Sequence, residues 1–394
     1  PTSRRASGSL ERSRRGPCRP CRFASSTISS TTHPLKLSAE ASDYGTLTRP
    51  SGRVAAGGYA ERVISRARNL VNAARSRAKR ALGGSPVEAP LSWAIKVPAP
   101  DSPEGDVWGD VFYAEDLAMA LRRLGQTVYV DRWETRTRPD PSVQDDVAVH
   151  LRGFHRPELV DGAVNILWII SHPDWVSEEE LDLNFDLRLA ASVPWAAVMS
   201  RPDREIRPLL QATNVERFTP EVQPSDLESG VLFVGRSRNV FRPIVRESIA
   251  AGADLEVYGD LWEQFIDERH IKAEYLDNAA APGAYRGARI VLNDHWDDMA
   301  QHGFVSNRLF DAVAAGALVV SDEITGGFPV EFGGSVRTYA TVDELRGLLA
   351  EGASGWPTPE ERAATSRKVA EFHSFDARAM TLLVSAREAL AARA

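Results

Sequence analysis

The residues best suited to chemistry in this 394-residue chain lie between Val231 and Pro243, in the stretch VLFVGRSRNVFRP. A short apolar run, read as a buried strand, leads into Gly235, where the missing Cβ lets backbone approach a ligand closely. Arg236 follows at once, and Arg242 stands where the next helix is expected to begin. A helix N-terminus offers free N–H groups and partial positive charge to a phosphate. Charge-assisted hydrogen bonds from arginine contribute about 1.5–3 kcal/mol each. Arg236 and Arg242 therefore suit a diphosphate, and more so as a leaving diphosphate gains charge. A single arginine here would read as a surface residue on a turn; a Gly-Arg at a strand end with a second arginine beyond it favours a phosphate site.

Other candidates are more ambiguous. His172, in ISHPD, follows the apolar run Ala163 to Ile170. It either hydrogen-bonds a substrate or steers a proton, or it bonds loop backbone ahead of Pro173. His295, in LNDHW, has the corresponding place in the second half of the chain, with the structural role favoured. Trp108-Gly109-Asp110 precedes a helix and either touches an acceptor or supplies Asp110 as its cap. Glu178-Glu179-Glu180 reads as a solvated helix start. The sequence has no G-x-x-x-x-G-K-[ST], no G-x-G-x-x-G after a strand, no H-E-x-x-H, no G-x-S-x-G and no D-x-D. P-loop, ordinary dinucleotide and metal-dependent D-x-D chemistry have no support.

These residues need elements to hold them. Strands are expected at Trp93 to Val97, Thr127 to Val130, Asp146 to Leu151, Val164 to Ile170 and Ala196 to Met199, with a helix from Val111 to Leu124. A second series places strands at Val231 to Val234, Leu255 to Tyr258, Ile290 to Leu292 and Ala317 to Val320. Its helices are expected at Pro243 to Ala251, Leu261 to Arg269 and Ser306 to Ala315. Alternating strands and helices argue for parallel sheets covered on both faces. The polar stretch 219–229 reads as a linker, and Thr358-Pro359-Glu360-Glu361 opens a helical C-terminus. The predicted organisation is a lobe over 92–218, a second lobe over 229–356 and a helical segment over 357–394.

The N-terminal part differs. Residues 1–90 carry 17 Lys+Arg against 5 Asp+Glu, whereas the remainder carries 30 against 49. An acidic body does not suit nucleic acid as the main partner. Residues 1–58 read as a disordered basic tail; the first forty or so, poor in acids, have the composition of a transit peptide. Cys18 and Cys21 read as unpaired thiols. Residues 59–84 read as a basic amphipathic helix, either packed loosely on the body or making weak contact with an anionic membrane surface. No apolar run is long enough for a transmembrane helix, and the expected location is cytoplasmic, membrane-peripheral if residues 59–84 touch a surface.

Asn293 to Asp322 sharpens the reading. With the Gly-Arg clamp, it resembles group 1 and spore-maturation-protein CgeB-like glycosyltransferases, in which R-x-F-[ED]-A-x-A-x-G leads into an apolar strand. Here the motif reads Arg308, Phe310, Asp311, Ala312, Ala314, Gly316. The resemblance covers about residues 92–390. It implies an α/β fold of two Rossmann-like lobes (GT-B type), with the donor in the second lobe and retention at the anomeric carbon. It also implies that Asp311 takes the place of the glutamate that bonds the donor ribose, with Gly235, Arg236, Arg242, His295, Asn307 and Arg308 around the donor. Many relatives carry E-x7-E; here Gly303, beside His302, stands in place of the first glutamate.

The expected function is transfer of a sugar from a nucleotide-diphosphate donor to an unidentified acceptor, with no metal and no cofactor. Arg236, Arg242 and His172 are the catalytic candidates, and Trp108, Asp110 and His172 face the acceptor. Alternatives are a non-catalytic sugar-nucleotide binder, a membrane-surface scaffold of the same fold, and a nucleotide-sugar 2-epimerase.

Overall fold

The computed structural model describes residues 89–137, 144–227 and 229–393. The tail 1–58, its two cysteines and the helix expected over 59–84 lie outside the described residues.

Two all-parallel six-stranded sheets form the body. The first holds β1 (Ser92–Lys96), β2 (Thr127–Asp131), β3 (Val147–Arg152), β4 (Val164–Ile169), β5 (Leu187–Ala190) and β6 (Arg207–Pro208), in the order β2-β1-β3-β4-β5-β6. The second holds β7 (Val231–Val234), β8 (Glu256–Tyr258), β9 (Ile271–Ala273), β10 (Ile290–Asn293), β11 (Val319–Ser321) and β12 (Val336–Thr338), in the order β12-β11-β10-β7-β8-β9. Strands β3 and β4 are buried at every position, as parallel strands covered on both faces should be. In an open parallel sheet the ligand crevice opens where the strand order reverses. That point falls between β1 and β3 in the first lobe and between β7 and β10 in the second.

Helices cover the sheets. In the first lobe these are α1 (Gly109–Arg123), α2 (Glu178–Leu181) and α3 (Val193–Met199). The second lobe has α4 (Pro243–Ala250), α5 (Ala281–Gly287), α6 (Asp297–His302), α7 (Asn307–Ala314) and α8 (Val342–Leu349). At the C-terminus α9 (Pro359–His373) begins with a capping box between Thr358 and Glu361 and packs against α7. The chain then returns to the first lobe. The last helix, α10 (Phe375–Arg393), lies against α1 and buries Phe375, Ala379, Leu382, Leu383 and Ala386 in the first-lobe core. Among the described residues no helix is long and apolar enough to cross a membrane.

Two expected elements are corrected. Ala196 to Met199 is helical, not a strand: Ser192 accepts the Trp195 N–H as an N-cap and Pro194 sits in the first turn. The strand comes earlier, at β5. Leu261 to Arg269 forms no α-helix; it is a turn followed by a 3-10 segment at Glu268–His270. Leu261 has φ +63°, its carbonyl accepts the Ser237 hydroxyl at 2.5 Å, and the Trp262 indole donates to the Gly235 carbonyl at 2.8 Å. Bonds to the β7 loop thus replace the helical ladder. Glu180 is also not solvated. It is buried and pairs with Arg152 at 2.6 Å, whereas Glu178 and Glu179 are exposed.

The lobes are tied at two places. At the chain crossings Thr213 N–H donates to the His373 carbonyl and Phe375 N–H to the Thr213 carbonyl, at 2.9 and 3.1 Å. Buried Arg378 donates to the carbonyls of Leu210, Gln211 and Phe372. On the other side, Met299 and Phe304 of the second lobe enter a first-lobe cluster with Trp195, Leu167 and Ile169. Gly303, at φ +71°, makes this approach possible. An added Cβ would collide with the Thr325 carbonyl oxygen and stand 2.6 Å from the Pro194 ring. Gly303→Ala is therefore expected to lower the unfolding free energy by about 1–3 kcal/mol, read from urea unfolding. An unchanged midpoint would show that the joint yields freely.

Candidate active site

The second lobe's switch point brings β7 and β10 side by side, and the loops leaving them carry the charged groups. Gly235 has φ +156°; a Cβ there would stand 3.0 Å from Nη atoms of both Arg242 and Arg308. Its conformation lets the chain turn between two guanidinium groups. Beyond it, Arg238 and Asn239 adopt left-handed φ of +62° and +57°, uncommon for residues with side chains. That turn aims Arg238 inward. Its guanidinium lies 3.8 Å over the Trp296 ring and donates to the His295 carbonyl at 3.3 Å.

Arg242 occupies a different place from the one its spacing suggests. It is 2% exposed and donates through Nε to Asp294 Oδ2 at 2.9 Å and through Nη2 to Asp294 Oδ1. Its Nη1 holds the Arg236 carbonyl at 2.8 Å. Arg242 is thus a positioning residue that ties the β7 loop to the end of β10, not a group that reaches a ligand. Arg236, partly exposed, pairs with Asp260 at 3.0 Å. Arg308, on α7, reaches back to donate to Asn293 Oδ1 at 2.9 Å. Arg238 and Arg308 make no ion pair with a described residue. Burial, with Arg242 and Arg308 nearby, pushes the Arg238 pKa down to about 9, so it stays charged at neutral pH. Asp294 and Asp322 offset this only in part, and an anion placed between Arg238 and Arg308 would offset more of it.

His295 is likewise structural. Its side chain is buried, Nδ1 faces Asp322 Oδ1 at 2.6 Å, and Nε2 accepts the Ser306 N–H at 3.0 Å. Both ring nitrogens are used, so none remains for a donor. Asp311 lies in the second turn of α7, not at its start. Its Oδ1 accepts from the Thr213 hydroxyl at 2.7 Å and Oδ2 from Asn307 Nδ2 at 2.9 Å. Burial pushes its pKa up to about 7. The Oδ1 of Asn307 is buried and has no partner among the described residues.

The first-lobe switch point, between β1 and β3, carries Asp110. The structure does not use it as a cap: Trp108 occupies the N-cap position, without a side-chain bond, and Asp110 is the second helical residue. Its Oδ2 lies over Gly153, 3.3 Å from where a Cβ would stand, and no described residue donates to it. Burial pushes its pKa up to about 6, although part of its surface stays open. His172 adopts φ +50°. Its Nδ1 meets the Ser171 hydroxyl at 3.0 Å, while Nε2 is buried without a partner. Burial pushes its pKa down to about 4, which keeps the ring neutral at pH 7. Aromatic rings surround it: Trp175 at 4.2 Å, Trp296 of the second lobe at 5.2 Å and Phe154 at 5.7 Å, with Trp108 5.6 Å beyond Phe154. Sequence reasoning missed Arg238, Asp294, Phe154, Trp175 and Trp296 as members of this region. A separate cavity of about 310 Å³, lined by Lys96, Trp133, His150 and His155, opens elsewhere in the first lobe, away from the guanidinium groups. Among the described residues no three His, Cys, Asp or Glu side chains converge as a metal site would.

Residues 236–384 match a family model described as glycosyl transferase-like. The match begins at Arg236 and contains the whole guanidinium cluster. Among solved structures the chain is similar to AviGT4, a glycosyltransferase involved in avilamycin A biosynthesis, with 18% identity, a TM-score of 0.52, and coverage of 77% of this chain and 99% of that one. It is also similar to sucrose-phosphate synthase from Thermosynechococcus elongatus, with 14% identity, a TM-score of 0.53, and coverage of 77% and 100%. No curated protein sequence matches. These likenesses show the two-lobed GT-B fold. Family match and fold together support a glycosyltransferase.

Removing Arg242 alone leaves Asp294 buried without its counter-charge. Arg242→Met should therefore destabilise the protein by about 3–5 kcal/mol, and Asp294→Leu added to it should restore part of that loss. Chemical denaturation of both variants tests the assignment; equal stability of parent and single variant would exclude it. A second expectation concerns pH. Because the folded pKa of Asp311 is raised, the folded state holds that proton more tightly than the unfolded chain. Stability then falls as pH rises from about 4 to about 7 and levels off above. Asp311→Asn removes this loss. Its melting temperature relative to the parent should be higher at pH 8 than at pH 5, and a constant difference would refute the raised pKa.

Proposed function

We propose that this chain transfers a sugar from a nucleotide-diphosphate donor to an acceptor bound by the first lobe. The observation that carries the reading is the pair of guanidinium groups, Arg238 and Arg308, left without counter-ions at the β7/β10 switch point. Each can hydrogen-bond a diphosphate, whose growing charge in the transition state would strengthen both contacts. Neutralisation by two arginines does the work a divalent cation does elsewhere, so the reading requires no metal. Asp311 and Asn307 lie on α7 beside this site, where a ribose would follow the diphosphate, and the Asp311 carboxyl suits a pair of hydroxyls. The R-x-F-D-A-x-A-x-G helix supports placing the chain with group 1 and CgeB-like transferases.

Stereochemistry depends on what faces the anomeric carbon. The family resemblance points to retention. However, Gly303 replaces the first glutamate of E-x7-E, and its neighbours exclude any side chain there. Asp110 instead offers an unpartnered carboxyl with a pKa of about 6 on the acceptor side, suited to a general base near neutral pH. This favours direct displacement with inversion: the acceptor oxygen bonds to the anomeric carbon and its proton passes to Asp110. The carbon–oxygen bond to the diphosphate breaks, and the departing diphosphate keeps the electron pair against Arg238 and Arg308. Neutral His172, on the acceptor side, would take an acceptor hydroxyl through Nε2.

Calorimetric titration with UDP, GDP and dTDP, each with EDTA present, tests the donor site. One nucleotide should bind, and Arg238→Ala and Arg308→Ala should each weaken it by about ten- to a hundredfold with little change in melting temperature. No binding by any of them, or binding indifferent to both substitutions, would overturn the donor assignment.

A further inference from the structure

Between the two switch points stands a cluster of half-exposed aromatic rings that donor binding does not explain. Trp175 is 48% exposed, Trp296 39% and Phe154 36%, high values for large rings that touch one another. They are not loose. Buried Arg152 donates to the Gly153 carbonyl beside Phe154 and to the Trp175 carbonyl at 2.7 Å, while two bonds to Glu180 anchor its guanidinium. One buried ion pair thus holds both first-lobe walls, and the left-handed turn at His172 sets the third ring between them. Arg238 covers one face of Trp296, and the His172 ring stacks over Trp175 at 28°.

Two polar groups without partners border these rings, the Asp110 carboxyl over Gly153 and the buried His172 Nε2. A hydrocarbon chain would leave both unsatisfied, at a cost of about 1–3 kcal/mol each. A sugar ring matches the set: its C–H face packs on flat aromatic carbon, and its hydroxyls donate to carboxylate and imidazole at the edge. Resting on the glycosyl-transfer reading above, we infer that this aromatic cleft is the acceptor subsite and that the acceptor presents a pyranose ring, making the product a glycan. The ring lies on Phe154 and Trp175 with its attacking hydroxyl toward Asp110. Arg238, against Trp296, brings the donor diphosphate to the same cleft from the other lobe.

Saturation-transfer NMR on the full chain tests this, using methyl glycosides and disaccharides of glucose, galactose, mannose and N-acetylglucosamine, with and without the nucleotide that binds. At least one sugar should show saturable transfer, strongest at the C–H protons of a single ring face. Phe154→Ala and Trp175→Ala should each weaken it about tenfold or more while nucleotide affinity and melting temperature stay near the parent's. Nucleotide binding without saturable transfer to any sugar would overturn the inference. So would a parallel loss of nucleotide affinity in both variants, which would assign the rings to the donor. Sugar binding that depends on these rings in a protein binding no nucleotide would sustain the subsite and sink the donor reading instead. Vesicles of anionic phospholipid competing for the same rings would replace the sugar by a lipid and also overturn it.

Discussion

The second lobe is organised around one buried ion pair. Arg242 and Asp294 face each other where β7 and β10 diverge, almost wholly out of water. Such a pair is a costly way to fill space, and well-packed apolar residues would often be no worse for stability. What it provides here is placement. Arg242 fixes the Arg236 carbonyl, hence the course of the loop after Gly235, and the same loop carries Arg238. With Arg242 neutralised, the positive charge left facing the cleft belongs to Arg238 and Arg308. Without Asp294 the guanidinium groups of Arg238, Arg242 and Arg308 would repel one another, and without Arg242 the loop would lack its anchor.

A second constraint is the double connection between lobes. Thr213 lies at the crossing of the two interlobe strands of chain, bonding His373 and Phe375 through its backbone and Asp311 through its hydroxyl. Asp311, the residue proposed for the ribose, is therefore coupled directly to the joint. Opposite it, Phe304 is fully buried and meets Trp195 edge to face at 5.7 Å. The backbone at Gly303 approaches Thr325 and Pro194 so closely that no side chain has room there. Relative motion of the lobes has to work against both contacts.

Much of this fold was legible because parallel strands buried on both faces are written as continuous apolar runs. Val164 to Ile169 and Val231 to Val234 needed no context to be seen. Ala196 to Met199 misled because four apolar residues fit a strand or a buried helical turn equally well, and the deciding Ser192 cap lies outside the run. Leu261 to Arg269 has helical spacing, yet bonds to a loop more than twenty residues earlier overrule it. Within the site, Gly235, Arg236 and the Arg308 helix could be singled out because local spacing carries the signal. Arg238 could not be preferred over Arg242, because the choice depends on Asp294, some fifty residues away. The aromatic cleft draws on four separate loops, and no period in the sequence joins Trp108, Phe154, Trp175 and Trp296.

Charge divides the labour between the lobes. The second lobe offers guanidinium groups without counter-ions, which favour a ligand already negative and growing more so. The first offers Asp110, whose pKa of about 6 lets it lose and regain a proton near neutrality, and an imidazole held neutral by burial. Neither half suffices alone: the cations have no proton acceptor within their own loop, and the carboxyl has nothing beside it to stabilise a leaving group. Trp296 is where the halves meet, with one lobe's arginine on its face and the other lobe's histidine at its edge. If a donor and an acceptor fill the cleft as proposed, they would cover these half-exposed rings together, and the reacting groups would then be shielded from water. On the proposed reading, such a cleft would favour an acceptor that is itself partly apolar and rich in hydroxyls, joining the electrostatics of one lobe to the shape of the cleft beside it.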